Sequence, residues 1–494
     1  MITLSIMLAT IMQALDTTIA NVALPHMQGS LQASQDQIMW VLTSYIVSSA
    51  IALPLTGWLC GHWGRRRVFL YSVIGFTIAS ALCGLAESLP QIVMARLLQG
   101  VFGAALVPLS QAVLLDINPA EKIGQAMAAW SAGIMVGPIL GPLLGGWLTD
   151  NINWRWVFYI NVPVGVMATL GILRYLPESR PKSEKLDIFG FVTLSLAVGL
   201  LQMFLDRGEQ LDWFGSWEIR LEAAGALIAF AFFVVHTATV QGTSFLNRAL
   251  LKDRNFITGS MFAFIVGMIL FATMSLLPAM LEGVLDYPVV YTGLVMAPRG
   301  MGTMLTMLLV GRLVQRIDVR LIMALGFALT AFALWEMSHM TPQMDSTLII
   351  TTGFIQGMGI GFIFVPLTTA AFATLPAQLR HQGTPIFSLS RNIGSSVGIS
   401  IVQAMLTEGT IRAHANISAL VVPGNPGFSD LPAAMSLSTL RGLALLNAEV
   451  TRQGALVGYI DDFIVMALIT AATLPLLLLV RSPKRGAAAA RAGG

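Results

Sequence analysis

The sequence predicts an all-α integral membrane protein of two six-helix bundles plus two inserted helices, fourteen transmembrane spans in all. Three observations predict it. The composition is 55% hydrophobic and 11% charged, against roughly 25% charge in a soluble domain, so one water-facing globule cannot be built from it. Apolar runs of spanning length recur along the whole chain. A stretch of the first half is also echoed in the second, at an offset of 257 that slips by one residue at the internal prolines Pro108 and Pro366.

A span needs about twenty mostly apolar residues. Runs of that length centre near residues 13, 50, 78, 103, 136, 165, 196 and 230, and then near 269, 300, 329, 359, 397 and 471. Orientation follows from Lys and Arg, which stay on the cytoplasmic side. With a cytoplasmic N-terminus, inside connections and the tail hold nineteen of them, including Arg65, Arg66, Lys122, Arg312 and Arg380. Outside connections hold six: Arg155, Arg207, Arg220, Arg412, Arg441 and Arg452. An even count with both termini cytoplasmic keeps that alternation. The first apolar run ends at Pro25 with no cleavage pattern, and it begins almost at residue 1, so a short leader is expected ahead of it. Cys60 and Cys83 fall inside apolar runs and read as packing residues, and the short basic connections are a topological signal that argues against nucleic acid as a partner.

The repeat sets the domain plan. LLQGVFGAALVPLSQAVLLDINP at 97–119 is echoed by FIQGMGIGFIFVPLTTAAFATLP at 354–376, and Gln99 and Gln356 lie 257 apart (356 minus 99). The runs near 196 and 230 have no counterpart. The expected division is a six-helix bundle at 1–176, a two-helix insertion at 177–245 and a second bundle at 246–484, followed by a tail at 485–494. Within the second bundle, about 408–459 reads as a long outside loop, with a short amphipathic helix from Ser436 to Glu449.

Charged groups near the bilayer centre cost about 2.5–3.5 kcal/mol on insertion scales, so they mark sites. Asp16 lies in the first run, with Gln13, Thr17 and Asn21 at four-residue steps beside it. Arg96 lies in the fourth, where Gln99, Gly103, Ser110 and Gln111 extend a polar face. Arg391 is flanked by Ser388 and Asn392, and Arg299 by two glycines. A proton-coupled machine needs a carboxylate that answers to burial and to a nearby cation, and Asp16 with Arg96 is such a pair in type. A buried ion pair that merely fixes helix packing is the competing reading. Gln13, Thr17, Asn21, Gln99, Gln111, Gln356, Arg299, Ser388, Arg391 and Asn392 are the candidates for lining a substrate path. Gly133, Gly137, Gly141 and Gly145 recur at four-residue steps with Pro138, Pro142 and Gly146 beside them, a small-residue face suited to a helix rocking against the opposite half. The loop from Gly57 to Arg67 sets Gly61 and Gly64 in a tight turn ahead of three arginines, Arg65, Arg66 and Arg67, which read either as anchors of topology and lipid headgroups or as a gate contact.

Taken together these segments resemble the fourteen-helix drug:proton antiporters of the major facilitator superfamily, the EmrB/QacA group, on its EmrB side. LDTTIANVALP resembles that group's first-helix motif, RLLQGVFGAALVP its fourth and GIMVGPILGPLLGG its fifth, while NWRWVFYINVPVG and LDRGEQLDWF carry the likeness further. The resemblance implies a substrate path between two halves near the midplane. It implies proton coupling at Asp16 and Arg96, no cofactor beyond the proton gradient, and a bacterial inner-membrane pump. It further implies a periplasmic adaptor of the EmrA type and an outer-membrane channel of the TolC type. Asp461, in YIDDF, matches an acidic position of the group. One departure is Gly61, where the superfamily's loop has an acidic residue, which argues against a charge-based gate there. Two other readings stay open: a proton-coupled importer on the same fold, and a membrane enzyme or sensor. Against an enzyme, the chain has no HExxH and no GxSxG.

Overall fold

Hydrocarbon cannot hydrogen-bond a peptide group, so apolar runs of this length fold as helices that satisfy their own backbone. The structure, a computed structural model, describes residues 2–119, 122–178, 186–240, 245–314, 316–342, 344–422, 435, 437 and 439–480. The first half contains α1 (Ile2–Ser30), α2 (Trp40–Ala52 with Leu55–Trp63), α3 (Arg65–Leu85), α4 (Leu89–Ile117), α5 (Ile123–Asn151) and α6 (Trp156–Tyr175). Then come α7 (Ile188–Arg207) and α8 (Trp217–Thr239). The second half contains α9 (Arg254–Gly283), α10 (Val289–Leu313), α11 (Val319–Met337), α12 (Thr347–Ala373), α13 (Ala377–Ser418) and α14 (Leu440–Ala472).

Prolines set the breaks. Pro54 opens the second piece of α2, which bends by 54°. α4 is interrupted at Ala104 and Ala105, where Pro108 lacks an amide hydrogen and its ring crowds the Ala104 carbonyl four residues back. α5 is interrupted at Met135, four residues after Ser131 and just ahead of Pro138, for the same reason. Gly64 joins α2 to α3 at φ 83°, a conformation that a side chain disfavours.

Among the described residues twelve helices are long and apolar enough to cross a membrane, or thirteen with the bent α2 as one span. The count of fourteen is reached only by adding α13, whose polar residues keep it below that test. Its 42 residues make it ~63 Å long at 1.5 Å each, about twice a 30 Å hydrocarbon core. The expected outside loop is therefore largely helix: α13 runs on to Ser418 and α14 starts at Leu440. Gly454 lets the two approach, since a Cβ there would lie 3.1 Å from the Thr410 carbonyl oxygen. Residues 423–434 and Ser436, the expected start of the amphipathic helix, lie outside the described residues, as do Arg180, Lys182, Lys185 and the tail from Arg481.

The repeat is visible in packing. In the first half α1 packs on α5 and α6, α2 on α4, and α3 on α4 and α6. In the second half α9 packs on α13 and α14, α10 on α12, and α11 on α12 and α14. The halves meet along two seams, α5 against α10 and α12, and α13 against α2 and α4, which the repeat makes equivalent. α7 and α8 pair with each other, and α7 lies against α2 and α13. Leu227, Phe230, Phe232 and Val235 of α8 are exposed, as a lipid-facing helix requires. Trp154 is buried edge-on against Phe158, while Trp156 is exposed.

Candidate functional site

Asp16 and Arg96 meet. Arg96 Nη1 lies 2.7 Å from Asp16 Oδ2, with the side chains 1% and 0% exposed. The other carboxylate oxygen accepts from Gln99 Nε2 and from Asn161 Nδ2, each at 2.8 Å. Arg96 also donates to Gln99 Oε1 at 2.8 Å and, through Nε, to the Val41 carbonyl at 3.0 Å, and its guanidinium lies over the Tyr45 ring. Asn161 reaches Ser80, which donates to the Phe158 carbonyl. Five helices, α1, α2, α3, α4 and α6, thus converge on one carboxylate. Bringing such a charge out of water is costly unless every lone pair is used, and here each oxygen has a donor.

The expected polar stripe divides. Thr17 and Asn21 are exposed and Gln13 is half-buried, reaching the Tyr45 hydroxyl at 3.4 Å. Each residue turns a helix by about 100°, so Asp16 faces the bundle interior while its neighbour Thr17 faces away.

The second half carries the same contact without the charge. Gln356 Nε2 donates to Thr273 Oγ1 at 3.2 Å. Thr273 stands opposite Asp16 at the repeat offset (273 minus 16 is 257), and Arg96 falls opposite Gly353. The cation here comes from α10 instead: Arg299 is buried and donates to the Leu270 carbonyl at 3.3 Å, and its Nη1 has no partner among the described residues. Arg391 sets its guanidinium over Phe364, and its Nε is likewise unpartnered. Neither arginine forms an ion pair among the described residues. Ser388 is buried beside it without a hydroxyl partner, and the Asn392 carbonyl accepts from Ser395 and Ser396 of its own helix. Gln111 is fully buried with neither amide atom partnered, whereas Ser110 accepts from Trp130.

The fifth-helix glycines do not face the opposite half. A Cβ on Gly137 would lie 2.6 Å from the Ala14 backbone carbon, and one on Gly145 would lie 2.9 Å from Ile19, while Gly133 and Gly141 crowd Met7 and Thr18. That face seats α1 inside its own half. The opposite half is met by the flank, where Gly300 faces Ile139 and Gly293 faces Pro142. Gly146 faces open space, and Pro138 sits at the helix break.

A charge contact does close one end of the molecule, contrary to the expectation from Gly61. Arg65 pairs with Asp116 at the end of α4, and Asp116 also lies 3.8 Å from Arg380 of the opposite half. Arg380 donates to the Leu115 carbonyl at 3.0 Å. Beside it, a Cβ on Gly57 would come 3.3 Å from Gln382 Cα, so the two halves touch backbone to backbone. Arg66 donates to the Leu173 carbonyl at 2.6 Å and lies 3.5 Å from Glu178. The carboxylate is supplied by α4 rather than by the loop. Its signal was present in the sequence, since Asp116 falls opposite Ala373 in the repeat.

Residues 6–399 match the family profile of the Major Facilitator Superfamily. The chain belongs to the Major Facilitator Superfamily. It is 35% identical over 492 residues to the multidrug export protein EmrB of Escherichia coli (strain K12), covering 97% of this chain and 95% of that one. It is 33% identical to the fatty acid resistance protein FarB of Neisseria gonorrhoeae, covering 98% and 96%. The crystal structure of the human organic anion transporter MFSD10 shares the fold, with TM-score 0.63, 13% identity, and coverage of 96% and 98%. Membership of the superfamily makes this a multi-pass secondary transporter rather than an enzyme. The superfamily's two-half plan also explains why the seams are paired.

Sequence reasoning missed Asn161, Tyr45 and Ser80, whose only signal is a polar group in an apolar run. Asp461 is exposed, whereas Asp462 is 1% exposed and neither of its oxygens has a partner among the described residues.

Proposed function

We propose that this transporter exports amphipathic toxic compounds in exchange for protons, with Asp16 as the coupling carboxylate. The observation that carries the reading is the asymmetry of the repeat: a carboxylate held by Arg96, Gln99 and Asn161 in one half, and Thr273 at its counterpart. Packing alone would be served by the neutral pair in both halves. A proton and Arg96 compete for Asp16, and the conformation here is the one in which Arg96 has it. The names of the relatives support export and amphiphilic cargo, and Arg299 and Arg391, which form no ion pair among the described residues, favour neutral or weakly acidic compounds over dications. The EmrA-type adaptor, the TolC-type channel, the inner-membrane location, the cytoplasmic termini and the fourteen-span count belong to the same reading.

Burial favours a second reading, in which the sealed pair is permanent and structural. The two separate in reconstituted vesicles carrying Asp16→Asn. Loss of flux driven by an imposed pH gradient, with downhill substrate exchange retained, is expected for a coupling site. Undiminished gradient-driven flux overturns it.

A further inference from the structure

Of the two equivalent seams between the halves, one is roofed. α7 lies over the α2/α13 seam and is bonded to both sides: Asp206 accepts from Thr43 of α2, Ser195 Oγ reaches the Ile51 carbonyl at 3.5 Å, and Gln202 Nε2 donates to Ser396 Oγ of α13 at 2.7 Å. The α5/α10 seam has no such cover among the described residues.

Under the roof, between α2, α7, α8 and α13, is a cavity of about 770 Å³, within the roughly 300–1,000 Å³ range of small-molecule sites. Its lining runs along α7 from Asp187 to Phe204, about 25 Å of helix at 1.5 Å per residue. Val198, Phe204, Ala226, Phe233, Leu389 and Ile393 make the walls apolar. Polar groups gather at one end only, where α7 and α13 begin and the connection from α8 arrives: Asp187, Asn247, Arg248 and Gln382. Long, narrow, apolar and polar at one end is the shape of a single-tailed amphiphile standing parallel to lipid chains.

That end holds one carboxylate and one cation, and the two differ in what they are already bonded to. Asp187 is already used by His236 Nε2 and by the backbone N–H groups of Gly190 and Phe245. Arg248 sends Nε and Nη2 to the Thr237 and Val240 carbonyls, and forms no ion pair among the described residues. A cation bonded only to carbonyls keeps its charge for an anion. Gln382 Oε1 is buried there without a partner among the described residues.

We propose that this cavity binds a single-chain anionic amphiphile, a long-chain carboxylate, taken from the bilayer and seated across the α2/α13 seam, apart from the path between the halves. Pro54 and Gly57 on one side and Gln382 and Leu389 on the other line the same cavity, so its occupant touches both halves and binds best while this seam is shut. The site is independent of transport direction and of Asp16, so its failure and that of proton coupling are separable.

The test uses the full chain in phosphatidylcholine nanodiscs with a diazirine-bearing palmitate as probe. Saturable labelling of peptides from α7, α8 and α13 is expected. It should be displaced by palmitate and at least tenfold less by hexadecyltrimethylammonium. Ala226→Trp, which obstructs the cavity midway along its length, should cut labelling at least tenfold, and Arg248→Gln should abolish the preference for the carboxylate. Ala223→Trp serves the same purpose if Ala226→Trp fails to fold. Labelling that does not saturate, that spreads over lipid-facing helices such as α11, that survives the obstructing change, or that the cationic amphiphile displaces better would overturn the proposal.

Discussion

Asp16 carries a structural cost whether or not it couples protons. With Arg96 at 1% exposure, removing one partner leaves an uncompensated buried charge, a loss of about 3–5 kcal/mol. Asp16→Asn is therefore expected to lower the thermal unfolding midpoint sharply. The double change Asp16→Leu with Arg96→Met should recover most of that loss, because apolar replacement of a buried pair is often neutral or stabilising. Gradient-driven flux should stay lost in both, and a double variant that regains flux along with stability would show that the pair only packs. Asp462→Asn is the contrasting case. Its carboxyl has no partner to lose among the described residues, so its midpoint should hold or rise in the same measurement.

At the scale of elements, the glycines of α5 are a seat for α1. Gly137→Ala forces a Cβ to within 2.6 Å of backbone and should cost about 1–3 kcal/mol as overpacking. Gly146→Ala meets nothing and should gain up to about 1 kcal/mol of helix propensity. Equal shifts in unfolding midpoint would refute the seat. The start of α7 gives a pH prediction. Burial is the largest single influence on Asp187 and raises its pKa, yet the N–H groups of Gly190 and Phe245 and the His236 ring outweigh it and hold the carboxyl below the usual carboxylate range. A group lowered in this way stabilises above its unfolded pKa of about 3.9 and loses that contribution as pH falls through the lower folded value. Protection of the Gly190 amide, taken relative to its intrinsic exchange rate at each pH, should therefore hold at pH 5 and fall only below about pH 4. A loss of protection between pH 7 and 5 would count against this role.

For the whole molecule, the state seen is shut at the end where Arg65, Asp116 and Arg380 meet. Among the described residues Asp116 is the single carboxylate that meets a cation from each half, so Asp116→Asn removes attraction on both sides of the α4/α13 contact. Spin labels at Trp63 and Leu379 should report a longer-distance population, and export should fall with the shut state. An unchanged distance distribution would mean that the backbone contact at Gly57 suffices to close this end. The twofold seams argue for rigid halves that rock. α7 complicates that motion, because either its bond to Ser396 or its bonds to Thr43 and Ile51 must break whenever α2 and α13 part.

The sequence alone was enough for the helical membrane fold, the two-half repeat and the pairing of Asp16 with Arg96, because span length, offset and the rarity of intramembrane charge are one-dimensional facts. It also placed Gln99 and Gln356 in equivalent roles, since 257 residues separate Asp16 from Thr273 as they separate the two glutamines. Which way each helix face points is not such a fact. Only the tertiary structure turned Asp16 away from Thr17, set the α5 glycines against α1, sent Asp116 across to Arg380 and buried Asp462 in place of Asp461. Helix rotation is fixed by what each helix packs against, and packing partners far apart in the chain leave no mark on the spacing within one helix.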